Sequence, residues 1–437
     1  MKEVMKEILK EALADIKITS DEKKAITSIS KDVVEELNRR IKKKGIEASV
    51  FIGGSLAKDT IVKNKIFDVD IFVRFNPKYS EEAVNKLFRK IFFFFRVKGH
   101  KIKLVKMHGS RDYRRLIFKA HEGIEIEVIP VLAIKKPEEA RNVTDMSYFH
   151  VNYVKSKLSK NKKLADDIIL AKAFCHASKC YGAESYIKGF SGYALELLII
   201  HYKGFENFLT ELKNQNGKLI IDQEKMYKDH SEVIEKMNKS RLDSVIVLVD
   251  PTYKERNAAV SLSNETFNLF KRAANKFLEN PSLEAFIQKK LDITSLRKKA
   301  HELEGIFLKL EVSTDKQAGD IAGTKLLKMY SLINRQIGDY FEVIGRAFEY
   351  HESINRAYFY YALNKKKERL IKGPKLIFKE AVENFKRVHP VWHIKNDEIY
   401  SAKPTDITPK HFVDEFTSRY KKTIREMGVT KIIIVED

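Results

Sequence analysis

The stretch Gly53–Phe75 reads GGSLAKDTIVKNKIFDVDIFVRF. Its last nine residues set Asp68 and Asp70 among Phe67, Val69, Ile71 and Phe72, a pattern that predicts a strand. Residues two apart on a strand share a face, so the two carboxylates point the same way. Carboxylates held that close repel unless a cation lies between them. Mg²⁺ suits the place, because it takes oxygen ligands and keeps positions open for phosphate oxygens. Taken alone, the pair also suits an exposed acidic strand face. The start of the stretch adds a second feature. The segment ASVFIGGS reads as a strand entering a glycine turn, and Gly53, Gly54 and Ser55 then open a helix at SLAKDT. Backbone N–H groups and a hydroxyl at such a turn cradle anions. A phosphate cradle thirteen residues ahead of a carboxylate pair, Ser55 to Asp68, describes a nucleotide site. Metal ions there would bridge the phosphates and activate a 3′ hydroxyl for in-line attack.

Working outward, residues 1–45 carry helical periodicity, with Val33, Val34, Leu37 and Ile41 on one face. SEEAVNKLFRKIFFFF starts with a helix-capping pattern at Ser80, and its IFFFF run at 91–95 is too short to span a membrane and is expected in a core. HKIKLVKM, RRLIFKA and IEIEVIPVLAI read as strands, the last with strict alternation from 124 to 129. Residues 1–150 therefore form one small α/β domain. Residues 151–288 are mainly helical, broken by the strand and Pro turn of VIVLVDPTYKERN. Residues 289–437 alternate helix and strand: LRKKAHELEG, then the strand IFLKLEV, a Gly/Thr-rich turn near 318–324, a helix over 324–348 and the strand AYFYYAL. That order suggests a small α+β, RRM-like unit with an extension.

Composition bounds the partners. The 437 residues, 43% hydrophobic, support several folded domains. Lys+Arg of 82 against Asp+Glu of 60 leaves a net charge of +22, which points to a polyanion, nucleic acid ahead of a membrane surface. A basic proteome gives the same excess. The two cysteines, Cys175 and Cys180, have no metal-spaced partners. They are expected to be reduced, buried thiols of a cytoplasmic protein. The N-terminal segment is an amphipathic helix without the apolar core of a signal peptide.

GGSLAKDT…FDVDIF resembles the signature of the polymerase-β-like nucleotidyltransferase superfamily, and GIEIEVIPVLAI supplies the third carboxylate that family carries on a later strand. The matching residue is Glu127, by its spacing to Pro130, where the family pattern has Asp; Glu125 lies on the same face and is the alternative. Beyond that, SYFHVNYV (147–154), LAKAFCHASKCYGAESYIKGFSGYALELLI (170–199), DPTYKERNAAVSLS (250–263) and KGPKLIFKEAVENFKRVHPVW (372–392) are similar to the class I, archaeal-type CCA-adding tRNA nucleotidyltransferases, over nearly the whole chain.

The resemblance implies an α+β multidomain fold: a polymerase-β-like nucleotidyltransferase catalytic head (1–150), a helical, nucleotide-selecting central domain (151–288), and an RRM-like body with a tRNA-binding tail (289–437). It implies template-independent addition of C, C and A to the tRNA 3′ end from CTP and ATP, with release of pyrophosphate. Asp68, Asp70 and Glu127 would be catalytic and hold two Mg²⁺. Gly54 and Ser55 would hold the triphosphate, with His150 and Lys172 as further contacts. Tyr181 would pack by the sugar and phosphates. Arg256 would read the base, because a guanidinium can donate to the cytosine carbonyl and ring nitrogen or to adenine nitrogens; Asn257 and Asp250 would shape its loop. GFSGY (189–193) is expected to start a core helix. The basic, aromatic-interleaved segments 360–375 and 416–426 would face the acceptor and TΨC arms, which are read by shape and backbone. A homodimer is the family precedent, and no membrane is involved. The alternatives are an A-adding-only or poly(A)-type transferase of the same superfamily and a catalytically inert tRNA-binding relative.

Overall fold

The computed structural model describes residues 2–64, 66–119, 123–288, 291–316 and 318–435. The chain forms two compact units, Met1–Gln288 and Lys289–Asp437. Among the described residues no helix is long and apolar enough to cross a membrane.

In the first unit, α1 (Lys2–Ile16) and α2 (Ser20–Lys43) precede β1 (Ala48–Ile52). Thr19 and Glu22 close a reciprocal capping box at the start of α2, satisfying backbone donors the helix leaves unpaired. Ile26, Ile29, Val33, Leu37 and Ile41 recur at three- and four-residue spacing along it and are buried. A short α3 (Gly54–Lys58) leads to β2 (Phe67–Phe75), α4 (Glu81–Ile91), β3 (Ile102–Met107), β4 (Tyr113–Phe118) and β5 (Ile124–Leu132). The sheet order is β1-β2-β5-β4-β3, with β2 and β5 parallel and the other pairs antiparallel. Val69, Ile71 and Val73 of β2, with Ile126 and Val128 of β5, are buried in one core with Val33 and Leu37 of α2 and Val84 and Phe88 of α4. The period of two then forces Asp68, Asp70, Glu125 and Glu127 onto the opposite face. The IFFFF run divides: Ile91, Phe92 and Phe95 are core, but Phe93 and Phe94 are 68% and 77% exposed. The reason is that α4 ends at Ile91 and the turn that follows faces Phe92 and Phe95 inward and the two rings between them outward.

The helical part holds α5 (Ser147–Lys160), α6 (Lys163–Ala177), α7 (Gly192–Tyr202), α8 (Phe205–Leu212), β6 (Leu219–Ile221), α9 (His230–Lys236), β7 (Ile246–Asp250), β8 (Tyr253–Asn257) and α10 (Asn264–Glu279). α6 and α7 are buried on nearly all sides, as all-round apolar helices are. Cys175 lies in α6 and Cys180 just past its end; both are free and buried.

The second unit begins with α11 (Ile293–Glu302) and β9 (Ile306–Ser313), followed by α12 (Gly319–Tyr340), β10 (Phe341–His351) and β11 (Arg356–Lys365). An inserted module, β12 (Glu368–Lys375), α13 (Lys379–Val388), β13 (Trp392–Lys395) and β14 (Glu398–Pro404), makes its own sheet in the order β12-β14-β13. α14 (Pro409–Arg419), α15 (Lys421–Glu426) and β15 (Lys431–Ile434) close the chain. The main sheet runs β10-β11-β9-β15, all antiparallel, a β-α-β-β-α-β path. Two expectations fail here. The Gly/Thr-rich stretch near 318–324 opens α12 instead of turning, and the helix stops at Tyr340, so 341–348 is strand. Ten residues of β10 pair with β11 through a bulge between Val343 and Gly345 and a turn at Asn355, held at φ 49°. That cross-strand ladder outweighs the local helical pattern of 324–348.

Candidate active site

The parallel register of β2 and β5 sets Asp68 beside Glu125 and Asp70 beside Glu127, so both candidate glutamates sit next to an aspartate. Arg115 on β4 contacts both. Its guanidinium donates twice to Glu127 Oε1, at 3.0 and 2.7 Å, and lies 3.5 Å from Glu125. Asp70 has its carboxyl pushed up to about 7, first by burial and then by Glu127, with Asp68 adding to the rise and Lys58 and Lys172 opposing it. This is a cluster of oxygen donors short of positive charge, the chemistry a hard divalent cation satisfies.

Gly54 explains why the turn must be glycine. Its φ is +57°, and a Cβ there would lie 1.9 Å from Asp70 Oδ2. The neighbouring Gly53 N–H donates to the Asp70 carbonyl at 2.8 Å, and a Cβ on Gly53 would strike the Phe72 ring at 2.4 Å. The turn and the carboxylate strand are therefore packed backbone against side chain. Ser55 is the second residue of α3, and its carbonyl accepts from Thr60 N–H at 3.0 Å.

Across from this strand lies a charge network that sequence reading did not assemble. Glu196 of α7, with no exposed side-chain surface, accepts from Lys58 Nζ at 2.6 Å, Lys172 Nζ at 2.9 Å and the Thr60 hydroxyl at 3.2 Å. Lys172 also donates to the Thr60 hydroxyl and carbonyl, at 3.0 and 3.3 Å. Lys172 is thus a buried cation and not a solvated helix charge. Burial pulls its pKa down and Glu196 pulls it back up. For Glu196 burial acts to raise the pKa, but Lys172 and Lys58 overcome it and hold the carboxyl at about 2. A lone carboxylate in the apolar run YALELLII was the available signal, since a buried charge needs a partner. Nothing local named the partners, which lie 24 and 138 residues away.

His150, Asp250 and Arg256 form a second network. Asp250, fully buried, takes His150 Nε2 at 3.0 Å and Arg256 at 2.6 Å on one oxygen. Its other oxygen accepts from the Tyr193 hydroxyl at 3.0 Å and from the Thr252 N–H and hydroxyl at 2.9 and 2.8 Å. Although burial works the other way, His150 and Arg256 hold the Asp250 carboxyl well below its usual range. Burial lowers the His150 pKa against the pull of Asp250. The imidazole stacks on Tyr193 with centroids 4.1 Å apart, and the Arg256 guanidinium lies 5.6 Å from the same ring. The GFSGY segment does start a helix, with Ser191 as its cap, but Tyr193 also buttresses Arg256. Asn257 is buried and ties the loop to Leu248 N–H, the Arg241 carbonyl and Ser244. Tyr181 stacks on His176 at 3.9 Å, and its hydroxyl would be 2.9 Å from a Cβ on residue 192.

The residues therefore gather as two neighbouring sets. Lys58 ties them together, since its charge acts on Asp70 and on His150 alike. Among the described residues no three acidic, histidine or cysteine side chains converge as a metal cage, and Arg115 engages Glu127. Asp68 and Asp70 themselves fit a divalent cation by donor type and by the crowding of like charge.

The chain is similar to known nucleotidyltransferases. Residues 166–287 match the family model described as tRNA nucleotidyltransferase, second domain. Residues 3–149 match the Second Messenger Oligonucleotide or Dinucleotide Synthetase domain. A CCA-adding enzyme of Nanoarchaeum equitans is 42% identical over 229 residues, 52% of this chain and 54% of that protein. One of Methanocaldococcus jannaschii is 28% identical over 98% of this chain and 94% of its own length. One of Pyrococcus abyssi is 31% identical, covering 65% of this chain and 62% of the relative. The match thus spans about half of the Nanoarchaeum protein and nearly all of the Methanocaldococcus one.

Proposed function

We propose that this chain is an archaeal-type CCA-adding tRNA nucleotidyltransferase, as its likeness to such enzymes supports, and that it builds and repairs the 3′-terminal CCA of tRNA from CTP and ATP. The observation that carries the reading is the packing of the Gly54 turn against Asp70, with Lys58 and Lys172 gathered on Glu196 within electrostatic reach of that carboxylate.

In the reaction the terminal 3′ oxygen attacks the α-phosphorus. The bond from that phosphorus to the oxygen bridging the β-phosphate breaks, pyrophosphate leaves, and the hydroxyl proton passes to solvent. Asp68 and Asp70 would hold two Mg²⁺ ions, with Glu127 as a third carboxylate beside them. Such ions would supply charge neutralisation of the triphosphate and a more nucleophilic 3′ hydroxyl. Gly54 and Ser55 offer backbone and hydroxyl donors to the triphosphate, and Lys58, Lys172 and His150 lie nearby to complement it. Tyr181 packs beside the sugar. Arg256, aimed by Asp250 and Tyr193, reads the base. Most of the rate then comes from positioning and charge neutralisation.

The proposal extends to the rest of the chain. Residues 1–150 act as catalytic head and 151–288 as nucleotide-selecting domain, while the β-α-β-β-α-β path of 289–437 serves as an RRM-like body with a tRNA-binding tail. The enzyme works as a cytoplasmic homodimer on the acceptor and TΨC arms. Primer extension tests it. A tRNA lacking CCA should grow by three residues only with CTP, ATP and Mg²⁺ together, and not at all with Asp70→Ala. Addition of A alone to a CC-ended tRNA would make it an A-adding enzyme, a long ladder on any RNA a tailing polymerase, and tRNA binding without extension an inert relative.

A further inference from the structure

On the helix-covered side of the five-stranded sheet, the reverse of the face carrying Asp68 and Asp70, an open pocket of about 1110 Å³ lies between α2 and residues 94–102. Two features mark it as built. The first is the pair Phe93 and Phe94, rings 4.5 Å apart and edge to face, held out in water. Phe94 has φ 49°, a left-handed conformation that bulky residues adopt only when their surroundings impose it. Arg40 imposes it here. Anchored by Glu36, it donates to the carbonyls of Ile91, Phe93 and Phe94 at 2.9, 2.8 and 2.7 Å. The fold spends backbone strain and a half-enclosed arginine on displaying two rings that a relaxed turn could tuck away.

The second feature is charge. Arg96, Lys98, Lys101 and Lys119 line the pocket, are exposed, and form no ion pair among the described residues. Of the three acids in the wall, Glu36 is paired to Arg39 and Arg40, and Asp32 to His100. The surface is therefore net cationic beside exposed aromatic rings. Cations that follow a phosphate backbone, with rings on which bases stack, are the parts that hold single-stranded nucleic acid.

We propose that the Phe93–Phe94 turn and the cations around it form a second RNA-binding surface that takes a short unpaired stretch of RNA. It does not rest on the transferase reading, because it lies on the other side of the sheet and uses none of the residues assigned there.

The test uses the full chain and an eight-nucleotide RNA containing 5-iodouridine, its 3′ end blocked by phosphate so that it cannot serve as primer. Binding is read by fluorescence anisotropy and attachment by photocrosslinking. Phe93→Ala/Phe94→Ala should weaken binding about tenfold. Lys98→Glu/Lys101→Glu should weaken it similarly and make its salt dependence shallower by about one to two counterions. Crosslinks should map to residues 93–101. Melting followed by circular dichroism should be unchanged in both variants, which shows that they fold. Wild-type affinity in both variants, with crosslinks elsewhere, overturns the proposal. So does loss of binding to phosphatidylserine vesicles with RNA affinity unchanged, which would make this a membrane contact.

Discussion

Replacing Glu196 by glutamine keeps the size of a fully buried side chain and removes its charge. Burial would raise the native carboxyl, but Lys172 and Lys58 hold it at about 2 against an ordinary 4.5. That depression is worth about 3 kcal/mol of folding stability. A figure of ~3–5 kcal/mol follows independently from the rule that removing one partner of a buried pair leaves an uncompensated charge; here two ammonium groups, Lys58 and Lys172, are left together. For a unit spanning Met1–Gln288 the melting temperature of Glu196→Gln should fall by about 5–8 °C near neutral pH. Because the folded pKa lies below the unfolded one, the contribution is complete above about pH 4.5 and is lost as pH falls toward 2. Melts of the full chain followed by circular dichroism should therefore show a gap between wild type and variant at about pH 7.5 that shrinks by more than half near pH 3. Equal melting temperatures at neutral pH, or a gap that does not narrow in acid, refute the reasoning. A companion variant separates stability from chemistry. Lys58→Met/Lys172→Met/Glu196→Leu replaces the network with apolar groups, and such exchanges are often neutral or stabilising. It should recover most of the melting temperature and add no nucleotide.

Gly54→Ala should lower the single-turnover rate about a hundredfold, the scale of a 1 Å misplacement at a reacting centre, since its Cβ would displace the Asp70 carboxylate. Asp250→Asn removes the charge that aims Arg256 and His150. Preference for CTP over UTP in single-nucleotide incorporation should fall about tenfold, the cost of a weakened charged hydrogen bond. Cys175 and Cys180, both free and buried, should ignore a thiol-specific reagent in the native chain and react together on unfolding, because burial raises the Cys175 pKa and keeps it a thiol.

What the sequence could tell was set by how far each interaction reaches along the chain. The facing of Asp68 and Asp70 follows from a period of two, and the glycine turn from a φ that other residues avoid; both are local, and both were legible. The β2–β5 register was less so. It places Glu125 and Glu127 beside the aspartates equally well, and Arg115, a dozen residues upstream of Glu127, pairs with both. Residues 341–348 looked helical because the rival, a ten-residue ladder with β11, is invisible to a local window. Phe93 and Phe94 looked like core because composition does not show where a helix stops. Glu196 is the most informative failure. Its helix reads as plain core, and core is the wrong place for a carboxylate unless cations meet it from elsewhere. Hydrophobic residues of the same shape would hold that position at least as firmly, so stability does not account for the charge. What an apolar triad cannot do is keep two ammonium groups within electrostatic reach of Asp70. The misfit between residue and helix is thus itself the mark of the proposed site, and a sequence search for buried charges without local partners would have found it.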